Sequence, residues 1–211
     1  MLRRIPLSAL IIGLAVTLGA QAPQGLQVRI DKSTNASDPD NTPELKIMPM
    51  GKGVHVIGGP AGTFWNPKDT VSGNYTLKAT FNLMAPANHT SYYGLIFGGS
   101  NLEGPNQAYS YFIVAQNGQY QVRDRTGEKV VSVQPTGRGG VAHEAVKTPG
   151  ANGQSTNTLE VRVAGDTVSY VVNGTVVHTT PKSAVKTDGI VGFRINHLLN
   201  VHVDGFQVQQ Q

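Results

Sequence analysis

The chain has 211 residues, no cysteine, and 17 Lys and Arg against 13 Asp and Glu; this length suffices for one domain with a core of its own, and disulfides and thiolate metal sites are excluded. Setting aside Arg3 and Arg4 of an N-terminal leader leaves 15 basic residues against 13 acidic, a net charge of +2, too small for a nucleic-acid partner. Charged residues are 14% of the chain against an ordinary ~25%, so the polar surface rests on Asn, Gln, Ser and Thr and suits neutral ligands.

Residues 1–22, MLRRIPLSALIIGLAVTLGAQA, read as a secretory signal peptide: Arg3 and Arg4 form the basic end, a short apolar stretch follows, and Ala20 and Ala22 close it. Pro6 and the polar sequence that follows leave it short of the ~20 apolar residues of a spanning helix. The expected location is secreted or periplasmic, not membrane-embedded once the leader is cleaved. With no cysteine, the composition points to a bacterial exterior.

Segment 23–52 reads as a polar, Pro-containing lead-in with room for one strand, and 53–211 as a single β domain. Short runs rich in Val, Ile, Tyr, Phe and Thr alternate with Gly, Pro, Asn and Asp clusters, and no stretch keeps a helical period. The expected strands are VHVIGG (54–59), GTFWN (62–66), YTLKATFNLM (75–84), YYGLIFGG (92–99), YSYFIVAQ (109–116), QYQVRDR (119–125), KVVSV, TLEVRVA, TVSYVV, TVVHTT, GIVGFRI and NVHVDGFQV. Segment 135–157, rich in Gly and Pro, reads as a long loop. Such even spacing means a sandwich or barrel.

Alternation assigns faces. Tyr75, Leu77, Ala79, Phe81 and Leu83 share one side of their strand, as do Leu159, Val161 and Val163 of theirs, so these strands are apolar on one face only. YYGLIFGG and GIVGFRI are apolar on both, as central strands are when the second face lines something partly covered. Leu77, Phe81, Ile113, Val122, Val161, Val163 and Phe193 are the expected core. Asn117-Gly118 and Asn173-Gly174 predict two-residue type I′ turns. At the first, that turn pairs Gln116 with Gln119, Val114 with Gln121, Phe112 with Arg123 and Ser110 with Arg125, and turns Tyr109, Tyr111 and Ile113 to the core.

The order of these strands, and above all N-x-L-x-V-x-V-x-G-D-x-V-x-x-x-V-N-G at Asn157 to Gly174, resembles the concanavalin A-like lectin/glucanase jelly rolls. Within them it is most similar to laminin G-like and 3-keto-disaccharide hydrolase-like secreted bacterial domains. The resemblance spans about residues 50–208 and implies an all-β, two-sheet antiparallel jelly-roll sandwich whose concave sheet meets sugars. The glucanase branch carries an E-x-D-x-E strand that this sequence lacks, so that family's catalysis is not carried over.

Within that frame Gln121, Arg123 and Arg125 form a polar row turned away from the core, either one wall of a ligand groove or a solvated face; Arg and Gln offer planar donors to hydroxyl pairs or a carboxylate. Trp65 is a sugar-stacking platform or a core residue. Tyr92 and Tyr93 face opposite ways, and Tyr92 is assigned to the ligand side. Arg194 and Asn196 share a face, with His197 just beyond, and either extend the groove or close a strand end. His143 and Glu144 are weak acid-base candidates. Asp38, Asp40 and Asn41 offer oxygen ligands in what reads as a solvated turn, and Asp204 lies where jelly rolls of this type hold a structural calcium; no other cofactor is implied. The expected function is a secreted, non-catalytic, saccharide- or glycan-recognising module. A hydrolase or lyase using the same groove and a structural surface protein are the alternatives.

Overall fold

The computed structural model of the protein describes residues 25–31, 37, 45–137 and 139–211. The leader and the Asp38, Asp40 and Asn41 turn lie outside the described residues. In chain order the strands are β1 (Gln27–Asp31), β2 (Lys46–Met50), β3 (Gly53–Ile57), β4 (Ala61–Val71), β5 (Tyr75–Ala85), β6 (Tyr92–Ser100), β7 (Ala108–Ala115), β8 (Gln119–Thr126), β9 (Lys129–Gln134), β10 (Val141–Ala142), β11 (Ser155–Ala164), β12 (Thr167–Val172), β13 (Thr175–Pro181), β14 (Gly189–Ile195) and β15 (Asn200–Gln210). They form two antiparallel sheets. The front sheet runs β1-β4-β14-β6-β7-β8-β10, with β9 also on the outer edge of β8, and the back sheet runs β13-β12-β11-β5-β15-β3-β2.

Every strand expected from residue 53 onward is present. β1 and β2 fall in the segment read as a lead-in, and each adds an edge strand, β1 to the front sheet against β4 and β2 to the back sheet against β3. β10 pairs with β8 inside the stretch read as a long loop.

The core lies between the sheets. From the back sheet come Leu77, Phe81, Leu83, Leu159, Val161 and Val163, all fully buried, and from the front sheet Phe64, Tyr93, Leu95, Phe97, Phe112, Val114, Val122 and Phe193. The alternation read in β5 and β11 therefore holds. β6 and β14 are apolar on both sides as expected: Ile96 joins Trp65, Leu102, Tyr109, Tyr111 and Ile113 in a second buried cluster on the outer face of the front sheet.

The two Asn-Gly turns differ. At Asn173-Gly174 both residues have positive φ, 50° and 86°, and Val172 pairs with Thr175 across a two-residue loop, as expected. At Asn117-Gly118 only Gly118 has positive φ, 84°. Its N–H donates to the Ala115 carbonyl at 3.1 Å, making a type I turn over Gln116 and Asn117 with the glycine as the left-handed third loop residue. Gln116 is held out of the ladder because its Nε2 donates to the carbonyls of Ala87 and His89, at 2.8 and 2.7 Å.

That extra loop residue corrects the predicted register by one. Ile113 pairs with Gln121, Tyr111 with Arg123 and Tyr109 with Arg125, so Phe112 and Val114 enter the core. Tyr109, Tyr111 and Ile113 stand on the outer face with the arginines, and Ile113 is buried in the second cluster instead of between the sheets.

Phe112→Ala is expected to cost about 3–5 kcal/mol, whereas Tyr111→Phe, whose hydroxyl bonds to no described residue, is expected to change stability by no more than ~0.5 kcal/mol. Chemical denaturation of both variants checks the register; a larger loss in Tyr111→Phe would show that β7 faces the other way.

Candidate functional site

The site is built on the outer face of the front sheet. One cross-strand row runs Arg29 (β1), Thr63 (β4), Arg194 (β14), Gly94 (β6), Ile113 (β7) and Gln121 (β8), and the next runs Gln27, Trp65, Gly192, Ile96, Tyr111 and Arg123. In a flat sheet β1 and β8, five strand spacings apart, would stand about 24 Å from each other. Yet Arg125 Nη1 of β8 lies 3.0 Å from Asp31 Oδ2 of β1. Asp31 still pairs with Ala61 in the ladder, so the sheet itself must curl, with this face concave. Gly94 permits the close approach on the central strand, since a Cβ there would collide with the Phe112 carbonyl and Ile113 Cα of β7.

Asp31 is the electrostatic centre. Its Oδ2 takes Arg194 Nη1 at 2.6 Å and Arg125 Nη1 at 3.0 Å, and its Oδ1 takes Arg29 Nε at 3.3 Å. Burial alone would raise its pKa, but the charges of Arg194 and Arg125 and the hydrogen bonds from Arg194 and Arg29 hold the carboxyl below the usual range. Arg194 is buried and also donates Nη1 to Thr63 Oγ1 at 3.0 Å and to the Tyr109 hydroxyl at 3.3 Å, and Nε to Asn196 Oδ1 at 3.0 Å. Burial lowers its pKa, and the surrounding Tyr109 and Asp31 outweigh that, so it stays charged.

Beside this centre lies a second polar group. Arg123 donates Nε to Gln121 Oε1 at 2.7 Å, Nη1 to Ser132 Oγ at 2.6 Å and Nη2 to the Gly139 carbonyl at 3.2 Å. Gln121 Nε2 donates to the same carbonyl. The Tyr92 hydroxyl donates to Gln119 Oε1 at 3.1 Å; burial raises its pKa against the pull of Arg123 and Gln121. The β6–β7 connection closes the far end, where Leu102 packs on the Trp65 cluster and the carbonyls of Glu103 and Gly104 accept from Arg29 Nη1, at 3.3 and 2.6 Å.

The expected site residues thus divide. Gln121, Arg123, Arg125, Tyr92, Arg194 and Asn196 share the concave face. Trp65 is on it too but only 2% exposed, beneath Leu102 and the tyrosines, so no sugar ring reaches its face. His197 lies past the end of β14, with its carbonyl accepting from Ser91 Oγ at 2.9 Å and its ring 4.8 Å from that of His89. The His143 ring meets Tyr120, a core-facing residue of β8, and Glu144 is exposed; neither belongs to the groove. Asp204 is exposed and accepts from Gly205 N at 2.8 Å. It borders a cavity of about 270 Å³ lined by Lys52, Val54, Phe193, Val203 and Phe206, behind the front sheet. Among the described residues no three His, Asp or Glu side chains gather to hold a metal ion.

Sequence reasoning missed Asp31, Arg29, Tyr109 and Tyr111. A two-residue turn puts the tyrosines on the core face, and the three-residue loop puts them on the outer one. Asp31 lies at the end of a strand in a segment without strand periodicity, so the pattern does not mark it.

No family model matches the chain, and no curated protein matches it. Solved structures do. The carbohydrate-binding module CBM66 from Bacillus subtilis superposes with a TM-score of 0.58 at 8% identity over 79% of this chain and 92% of that one. The β-glucanase of Bacillus licheniformis gives 0.54 at 10% identity over 90% and 95%. The carbohydrate recognition domain of Emp47p gives 0.54 at 11% identity over 91% and 90%. The fold is the concanavalin A-like, two-sheet jelly-roll sandwich.

Asp31→Ala leaves three guanidiniums without their carboxylate and is expected to cost about 3 kcal/mol, with Asp31→Asn costing less. Because the native pKa lies below the ordinary 3.8, the ionised carboxylate stabilises the fold above that value, and this contribution is lost as pH falls through the lower native one. The stability gap between parent and Asp31→Asn, followed by denaturant titration, should therefore narrow below about pH 4. A gap constant down to the acid limit would contradict the ion-pair assignment.

Proposed function

We propose that the protein is a glycan-recognising module that binds a saccharide on the concave face of the front sheet without turning it over, and that it works outside the cell after loss of its leader. One observation carries this reading: Tyr92, Gln119, Gln121, Arg123 and Arg125 are collected on one curved face, each held by a hydrogen bond to a neighbour or a loop carbonyl. Side chains fixed before binding lose little rotamer freedom when a ligand arrives, and amide and guanidinium donors match vicinal hydroxyls. The superposed structures include a carbohydrate-binding module and a carbohydrate recognition domain, which support saccharide recognition by likeness of fold, and a β-glucanase.

The hydrolase alternative has less support. A glycosidase acid needs a carboxyl whose pKa is raised, opposite a second carboxylate. Asp31, the carboxylate of this face among the described residues, is committed to arginines and lowered instead.

Arg123→Ala is expected to weaken saccharide binding by ~1.5–3 kcal/mol through loss of charge-assisted hydrogen bonds. Because Arg123 also ties β8 to β9 and to Gly139, stability should fall by about 1 kcal/mol. Isothermal titration against a panel of polysaccharides, beside thermal unfolding, separates the two effects. Unaltered binding by a folded Arg123→Ala protein would remove the concave face as the binding site, and release of reducing sugar by the parent would replace recognition with hydrolysis.

A further inference from the structure

Among the described residues the concave face holds more positive charge than it neutralises. Arg29, Arg125 and Arg194 all end on the single carboxylate of Asp31. Arg123 adds a fourth guanidinium whose partners are neutral: Gln121, Ser132 and the Gly139 carbonyl. Glu103, in the loop over the face, offers Arg29 its backbone carbonyl, and its side chain forms no ion pair with another described residue. Among the described residues the face therefore carries four guanidiniums and one carboxylate. Such an excess, part-buried, is costly unless an anion or water shares it.

Unused donors stand beside the Asp31 carboxylate, because Arg125 and Arg194 meet on it. Arg125 and Arg194 spend Nη1 on the same Asp31 oxygen, and Arg125 Nη2 and Arg194 Nη2 donate to no described residue. Tyr111, opposite Arg123 on β7, lies within the fields of Arg194, Arg123 and Arg125. Its hydroxyl has no partner among the described residues and is not sealed from solvent. Two guanidiniums that meet on Asp31 Oδ2 and a phenol within their fields thus share one region of this face.

We infer that the saccharide recognised here is acidic, its anionic oxygens, those of a uronate carboxylate or a sulfate ester, received in this region by Arg125, Arg194 and the Tyr111 hydroxyl. The inference rests on the glycan reading above and reverses the neutral ligand that overall composition suggested. The low overall charge is compatible with it, since four of the six arginines outside the leader stand on this one face.

The test is a titration of the folded protein with four probes: an oligogalacturonate, its methyl ester, a sulfated galactan oligosaccharide and the unsulfated parent of that galactan. The expected result is binding of at least one anionic probe about 10- to 100-fold tighter than its neutral counterpart. That preference should weaken as salt rises from 50 to 500 mM and collapse in Arg125→Gln, with Tyr111→Phe showing a smaller loss. The anionic probe that binds identifies the carboxylate or the sulfate as the source. Should Arg125→Gln fail to fold, the acid-against-ester comparison on the parent still decides. Equal binding of acid and ester, and of sulfated and unsulfated galactan, overturns the acidic ligand and leaves saccharide recognition standing. Binding of none of these probes, or of any neutral polysaccharide, overturns recognition itself.

Discussion

One hydrogen bond, from Gly118 N to the Ala115 carbonyl, decides which half of β7 faces the core. A strand has a side-chain period of two, so a loop of three residues instead of two sends each residue of β7 to the opposite side. With Gly118 as the left-handed residue, Phe112 and Val114 meet Tyr170 and the back sheet, and Tyr109 and Tyr111 stand over the front sheet beside Arg125 and Arg123. The arginine centre depends on it. In the other register Phe112 and Ser110 would lie beside Arg123 and Arg125, the Tyr109 hydroxyl could not receive Arg194, and two large apolar side chains would leave the core.

Curvature is the second link. Arg125 and Arg194 reach one carboxylate only because the sheet curls, and the bridge in turn ties the edge strand β1 to β8 across the intervening strands. The edge is thereby fastened by more than its ladder with β4. A buried ion cluster of this kind is not cheap stability, since well-packed apolar residues of similar volume can do as well or better. Its presence makes sense if the cations are required as cations, held rigid on the concave face.

The sequence disclosed the fold nearly whole and the site by halves. β5 and β11 alternate cleanly because each has one wet face, so their core residues can be read from the pattern alone. β7 has apolar residues on both faces, Tyr109, Tyr111 and Ile113 against Phe112 and Val114, and alternation cannot choose between them; the turn had to, and the same Asn-Gly pair forms either turn. What separates them is tertiary. Gln116 is pulled out of the ladder by carbonyls of the β5–β6 connection, whereas Asn173 is held in its left-handed conformation while its side chain bonds to Thr158, Ala145 and Asn157. Asp31 was illegible for another reason: its role comes from strands near in space and up to 163 residues away in sequence.

The division of labour on this face follows from the two halves of β8. Its core-facing side, Tyr120 and Val122, is apolar, and there Asp124 marks the end by pairing with Lys186 and accepting from Ser110 Oγ at 2.7 Å. Its outer side, Gln121, Arg123 and Arg125, carries no acid at all, although an acid opposite each arginine would be the simplest way to stabilise them. Asp31 supplies one carboxylate from the far edge of the sheet and no more. A sheet built only for stability has no reason to bring guanidiniums from three strands to one anion and leave two of their edges without a partner among the described residues. A sheet that must receive an anion has that reason, because each guanidinium already positioned by Asp31 meets the ligand without first giving up its own freedom.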